Sequence, residues 1–231
     1  SEYQAVFMLN IIAWWLTESA SVYGIPVIGF IVLLLVSRRP RRPWRERSLD
    51  MTVIASLLLV VLGLVSLLNE HLIKPGFHVF RPNILQLASN PPAQPALGIS
   101  ATAFYQLPDK AARSDYLSGI LNAADYNGPE LQPMLKHHWI EETGYSFPSG
   151  HTTAAMALAS CFLALASTRF SGRKLMPYLI LPCWGVMVAW SRTVLQVHTP
   201  VDVLAGGVQG LLAGLFAWWL YKRLQPDGKG G

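Results

Sequence analysis

Three polar clusters interrupt a largely apolar chain of 231 residues: Lys74 with Arg81 and Pro82, then Ser146-Phe-Pro-Ser-Gly-His151, then Ser191-Arg192 with His198 and Asp202 behind it. Together these residue types can handle a phosphate. Guanidinium and ammonium groups neutralise nonbridging oxygens, an imidazole attacks phosphorus or carries a proton, and a carboxylate holds an imidazole in one tautomer. Ionisable groups at the borders of apolar spans are costly, and they are kept where they meet something charged.

Taken singly, each cluster has a plainer reading. Pro148, Ser149 and Gly150 stand where a loop becomes an apolar helix. Proline pre-sets the backbone there, glycine admits a close ligand, and the first N–H groups lie at the positive end of the helix dipole. By itself this tetrapeptide reads more simply as a helix cap with an interfacial histidine, His151. Thr199-Pro200-Val201-Asp202 reads as an N-cap, a proline at the first helical position and an acid in the first turn. His198 therefore sits just before a helix, and Asp202 either orients its ring or completes the cap, or both. Arg192 at a span end suits either a snorkelling anchor or a bidentate phosphate ligand. Lys74 and Arg81 alone would be two interfacial cations. What decides is that all three clusters fall on one face of the expected topology.

That topology starts from composition. With 52% hydrophobic and only 13% charged residues the chain is expected to be an all-α, polytopic membrane protein. Five stretches approach the ~20 residues a spanning helix requires, at 21–37, 52–70, 151–168, 175–190 and 203–221. The net charge of +5 does not indicate a nucleic-acid partner, because six arginines crowd between Arg38 and Arg47 and further basic residues, Arg169, Arg173, Lys174, Lys222 and Arg223, follow later spans. The positive-inside rule places those loops in the cytoplasm together and leaves 1–20, 72–148 and 191–202 outside, where every polar cluster named above lies. Cys161 and Cys183 sit in apolar runs and no disulfide is expected.

The chain reads as a single membrane domain, 1–231. Residues 1–20, with two tryptophans, suit an amphipathic helix in the outer headgroup zone. An initial signal-anchor helix ahead of Ser1 is expected. The segment 83–147, between the second and third spans, contains Asn-Pro-Pro-Ala-Gln-Pro (90–95) and two expected helices near 107–124 and 129–142. An insertion of that length is expected to form a cap over the site. Gly-Lys-Gly-Gly at the end reads as a flexible tail. The adjacent His137 and His138 would point about 100 degrees apart on a helix, which favours interfacial hydrogen bonding over chelation. Glu142 is an auxiliary candidate, for a headgroup hydroxyl or a proton relay, with an ion pair to Lys136 or Arg113 as its default.

The order Lys…Arg-Pro, Pro-Ser-Gly-His, Ser-Arg…His…Asp, with internal spacings of six, five and three residues, resembles the type 2 phosphatidic acid phosphatase (PAP2) superfamily. The stretch from His138 to His151 and the long insertion look most like its bacterial phosphatidylglycerophosphatase B branch. The resemblance implies a six-helix bundle in the bacterial cytoplasmic membrane, with the active site facing the periplasm. It further implies that His198 attacks phosphorus, Asp202 supports it and His151 protonates the leaving oxygen. Lys74, Arg81, Arg192, Ser149 and the Gly150 backbone would bind phosphate oxygens. A lipid phosphate is the implied substrate, with neither metal nor cofactor required. The alternatives are a phosphotransferase that passes the phosphate to another lipid, and a non-enzymatic headgroup transporter or scaffold. Oligomeric state has no signal in the sequence.

Overall fold

A computed structural model describes residues 2–37, 43–89 and 96–224. The Arg38–Arg42 part of the basic run, the 90–95 proline-rich stretch and the Gly-Lys-Gly-Gly tail lie outside the described residues. Among the described residues the chain is helical, without strands.

The apolar runs become helices α1 (Glu2–Ser19), α2 (Gly24–Val36) and α3 (Trp44–Leu68). A π-helical turn, Asn69–Ile73, leads from α3 into the one-turn α4 (Lys74–Phe77). The insertion forms α5 (Pro82–Ser89), α6 (Ala101–Tyr105), α7 (Lys110–Asn122) and α8 (Pro133–Glu141), so the two helices expected there are present but shorter, and two more accompany them. The last helices are α9 (Gly150–Ser167), α10 (Ile180–Val194) and α11 (Pro200–Leu224).

Three helical stretches, based on α3, α9 and α11, are each long and apolar enough to cross a membrane. A fourth is reached if α1 and α2, bent by 67°, count as one span. The stretch expected at 175–190 is offset: α10 has 15 residues and is preceded by a 3₁₀ turn at Met176–Leu179. Turn and helix together reach about 30 Å, the thickness of a hydrocarbon core. The amino-terminal helix does not lie apart from the bundle. Thr17 Oγ1 of α1 is 2.8 Å from Ser191 Oγ of α10, Trp184 Nε1 donates to Ser19 Oγ, and Val6, Met8, Ile12 and Trp15 face outward.

At the centre of the bundle lies α9, whose Ala-rich surface packs against α2, α3, α10 and α11 in one apolar core. Small residues permit the tightest of these contacts. A methyl group on Gly210 would fall within the van der Waals radius of Thr153 O, and one on Gly214 would overlap Ala157 O. The backbones of α9 and α11 are thus nearly in contact, the arrangement that small residues four apart allow between membrane helices. At one end of the bundle Arg169 donates to Val36 O and Tyr221 Oη, tying together the ends of α2, α9 and α11. The polar clusters gather at the other end.

Above that end, a second core joins Ile84, Leu87, Phe104, Leu117, Leu121 and Trp139 of the insertion to Leu195 and Val197 of the α10–α11 loop. Trp139 Nε1 donates to Leu195 O at 2.9 Å, which fastens the insertion to the segment carrying His198.

Candidate active site

The α10–α11 loop places His198. Gln196 adopts a left-handed backbone (φ 59°), and the N–H groups of Val197 and His198 then both reach the carbonyl of Arg192. Asp202 follows in the first turn of α11, where its Oδ2 accepts from Thr199 N at 2.7 Å while Asp202 N donates to Thr199 Oγ1. This is the reciprocal cap that the Thr-Pro-Val-Asp pattern predicts. Direct pairing of Asp202 with His198 is long, 3.7 Å from Nδ1 to Oδ2. Ser146 Oγ fills the interval, 3.2 Å from His198 Nδ1 and 2.5 Å from Asp202 Oδ2.

Arg81 lies on the opposite edge of the ring, with Nη1 3.2 Å from His198 Nε2 and 3.0 Å from Val197 O. Its Nε donates to Gly144 O, and its backbone N–H donates to Tyr105 Oη. Tyr105 in turn packs against both Phe80 and Tyr145, which also meet each other, so a cluster of three near-parallel rings backs the arginine. Burial and the Arg81 guanidinium push His198 down to about 3, so its ring is neutral at physiological pH.

Two buried guanidiniums share one carboxylate. Glu142 Oε2 is 2.7 Å from Arg81 Nη2, and Glu142 Oε1 is 2.6 Å from Arg192 Nη2. The expected default partners, Lys136 and Arg113, are not the ones found. Burial opposes the charge on Glu142, but Arg81 and Arg192 hold its carboxyl well below the usual range. Arg192 Nη1 is 3.0 Å from His138 Nε2, and Arg192 Nε, fully buried, has no hydrogen-bond partner. His138 is thus a buried ligand of Arg192 and not the interfacial group its position suggested; burial and Arg192 push it down to about 3.

His151, in the first turn of α9, has Nδ1 3.7 Å from Glu142 Oε1. His198 thus meets the arginine–carboxylate cluster through Arg81, and His151 meets it through Glu142. Ser149 N donates to Asp202 O, locking the start of α9 to the start of α11. Ser149 occupies the N-cap position without a side-chain cap bond, and Thr152 Oγ1 donates to its hydroxyl. Gly150 is exposed, with open space where a Cβ would stand, at the start of α9. Pro148 lies one residue ahead of the cap, outside the first turn, after a cis peptide bond. Lys74 is at the rim, where its ammonium pairs with Glu70 of the π-turn.

Of the residues expected from sequence, the structure draws together Arg81, Glu142, Ser149, His151, Arg192, His198 and Asp202, and leaves Lys74 beside them on another partner. Ser146 and His138 are additions. Ser146 lay inside the second motif without a role, and its signal was only its nearness to Pro-Ser-Gly-His. Among the described residues no group of three His, Cys, Asp or Glu side chains is placed to hold a metal ion.

Residues 51–226 match the family model of the PAP2 superfamily. The chain belongs to that superfamily. Among relatives of the PAP2 chain, phosphatidylglycerophosphatase B of Escherichia coli K12 is 29% identical over 172 residues, 74% of this chain and 60% of the relative. A putative undecaprenyl-diphosphatase of the same organism is 37% identical over 97 residues, 38% of this chain and 44% of that one. The chain thus spans less than two thirds of the length of these curated relatives. A solved PAP2-type phosphatidylglycerolphosphate phosphatase from Bacillus subtilis is 18% identical with a TM-score of 0.34, covering 96% of this chain and 98% of that chain.

Proposed function

We propose that this PAP2 chain is a lipid phosphate phosphatase of a bacterial cytoplasmic membrane, with its site at the exterior water boundary and phosphatidylglycerophosphate as its first substrate. Undecaprenyl diphosphate, phosphatidate and diacylglycerol diphosphate carry the same terminal phosphate and belong to the substrate class. The observation that carries the reading is the Glu142 carboxylate held between Arg81 and Arg192, because a site that binds one anion with two buried guanidiniums is built to bind another. The unpartnered Nε of Arg192 offers a further donor.

In the proposed cycle the phosphate takes the place of Glu142 between the two guanidiniums, with Lys74, Ser149 and the N–H groups at Gly150 on its remaining oxygens. Nonbridging charge is then neutralised by fixed cations and dipoles. Drawn to the phosphate, Arg81 Nη1 leaves His198 Nε2, whose lone pair forms the N–P bond while the P–O bond to the lipid breaks. His151, as the imidazolium that the bound phosphate's negative charge favours, gives its proton to the departing oxygen and is left neutral. Water then attacks the phosphohistidine, His151 takes the proton of that water, and the N–P bond breaks to release inorganic phosphate.

The test is phosphate release from phosphatidylglycerophosphate in detergent, compared with a prenyl diphosphate at matched detergent concentration. Release is expected to resist EDTA, to be blocked by vanadate and to fall by at least about a thousandfold in His198→Ala. Undiminished release by that variant would remove His198 from the reaction.

A further inference from the structure

The sequence pairs His198 with Asp202 directly, but at 3.7 Å from Nδ1 to Oδ2 the two are beyond hydrogen-bond range. Ser146 Oγ lies between them and is fully buried. We infer that Ser146 is a positioning residue, a hydroxyl bridge through which Asp202 holds the His198 ring with its proton on Nδ1 and its lone pair on Nε2.

The proton positions follow from what each atom can do. A guanidinium only donates, so Arg81 Nη1 at 3.2 Å requires Nε2 to be an acceptor. A neutral ring with a bare Nε2 carries its hydrogen on Nδ1. Ser146 has one hydroxyl hydrogen and three neighbours: Asp202 Oδ2 at 2.5 Å, His198 Nδ1 at 3.2 Å and Val197 O at 3.4 Å. The carboxylate is the nearest and the strongest acceptor, while Val197 O is already served by Arg81. The hydroxyl therefore donates to Asp202, and its oxygen lone pair receives Nδ1–H. Arguments from the two edges of the ring give the same tautomer.

The bridge is itself held. Ser146 N donates to Val79 O at 2.8 Å, and Asp202 Oδ2 is fixed from its other side by Thr199 N. When Nε2 forms a bond to phosphorus the ring gains positive charge. That charge is stabilised by Asp202 through the serine hydroxyl, with no proton leaving either group. The inference rests on the reading of His198 as nucleophile for its use, but not for its geometry.

Two measurements on the full chain in detergent separate those levels. The first is nitrogen-15 NMR of histidine-labelled protein, in which the His198 ring among the six histidines is assigned by its loss in His198→Gln. The parent should carry its proton on Nδ1, downfield and slow to exchange. Ser146→Ala should move that signal upfield and speed its exchange, with Asp202→Asn adding no further shift, and Ser146→Thr should restore it. A proton on Nε2, or an Nδ1 signal indifferent to Ser146→Ala, overturns the bridge.

The second is phosphate release. Ser146→Ala should lower kcat by about ten- to a hundredfold with KM unchanged, and Asp202→Asn in that background should cost no more than about threefold further. Losses that multiply across the two variants overturn the bridge. If the parent releases no phosphate while the NMR dependence holds, the bridge stands and the phosphatase reading falls. If release occurs and needs His198 but the Nδ1 signal ignores Ser146, the reading stands and the bridge falls.

Discussion

Glutamine at position 142 would keep the shape of the side chain that spans Arg81 and Arg192 while removing its charge. If the carboxylate holds the place of a phosphate, Glu142→Gln frees both guanidiniums for the ligand. Vanadate and inorganic phosphate should then inhibit about tenfold more tightly, a change worth roughly 1.4 kcal/mol. An inhibition titration checks this, and weaker inhibition would make Glu142 a scaffold for the arginines. Most of this cluster was readable before folding. Arg81, His151, Arg192, His198 and Asp202 declare themselves by type and spacing inside motifs. Ser146, His138 and Glu142 do not, because their partners are 56, 54 and 50 residues away in sequence and pair only once the insertion has docked. Glu142 was visible as a candidate, yet nothing local distinguished Arg192 from Lys136 as its partner.

Between elements, the closest approach is that of α9 to α11, and it decides whether Ser149 and Asp202 stay bonded. Gly210→Ala introduces a methyl whose carbon would stand well inside van der Waals distance of Thr153 O, so the two backbones must shift. Overpacking of this kind costs about 1–3 kcal/mol, so a lowered melting temperature and reduced phosphate release are expected together. Gly63→Ala in α3, where the added methyl meets nothing, should be neutral or slightly stabilising, by up to ~1 kcal/mol. Thermal melts of the two variants side by side provide the check. Helix identity in these regions follows from long apolar runs. The offset of α10 and the additional helices α5 and α6 do not, because short helices are fixed by the core they share with Leu195 and Val197.

For the molecule as a whole, acid is the expected weakness. His138 and His198 are both held at about 3 against an ordinary 6.5, so the folded state refuses protons that the unfolded chain accepts between those values. Their contribution to stability is complete above pH 6.5 and declines as pH falls toward 3. Glu142, held well below its ordinary 4.5, adds a loss of the same sign below that pH. The melting temperature in detergent should accordingly drop steadily from pH 7 to pH 4, and a flat profile would mean that neither histidine stays neutral.

The two separate cores have a further consequence. Lipid or detergent supports the α9-centred bundle from outside, whereas the insertion relies on its own small interior of Ile84, Phe104, Leu117 and Trp139. Heating should therefore melt the insertion first: turnover would vanish, and Trp139 would become accessible to quenchers, while far-ultraviolet circular dichroism still reported an intact set of lipid-facing helices. Inactivation and denaturation would be two events, with the earlier one reversible on cooling.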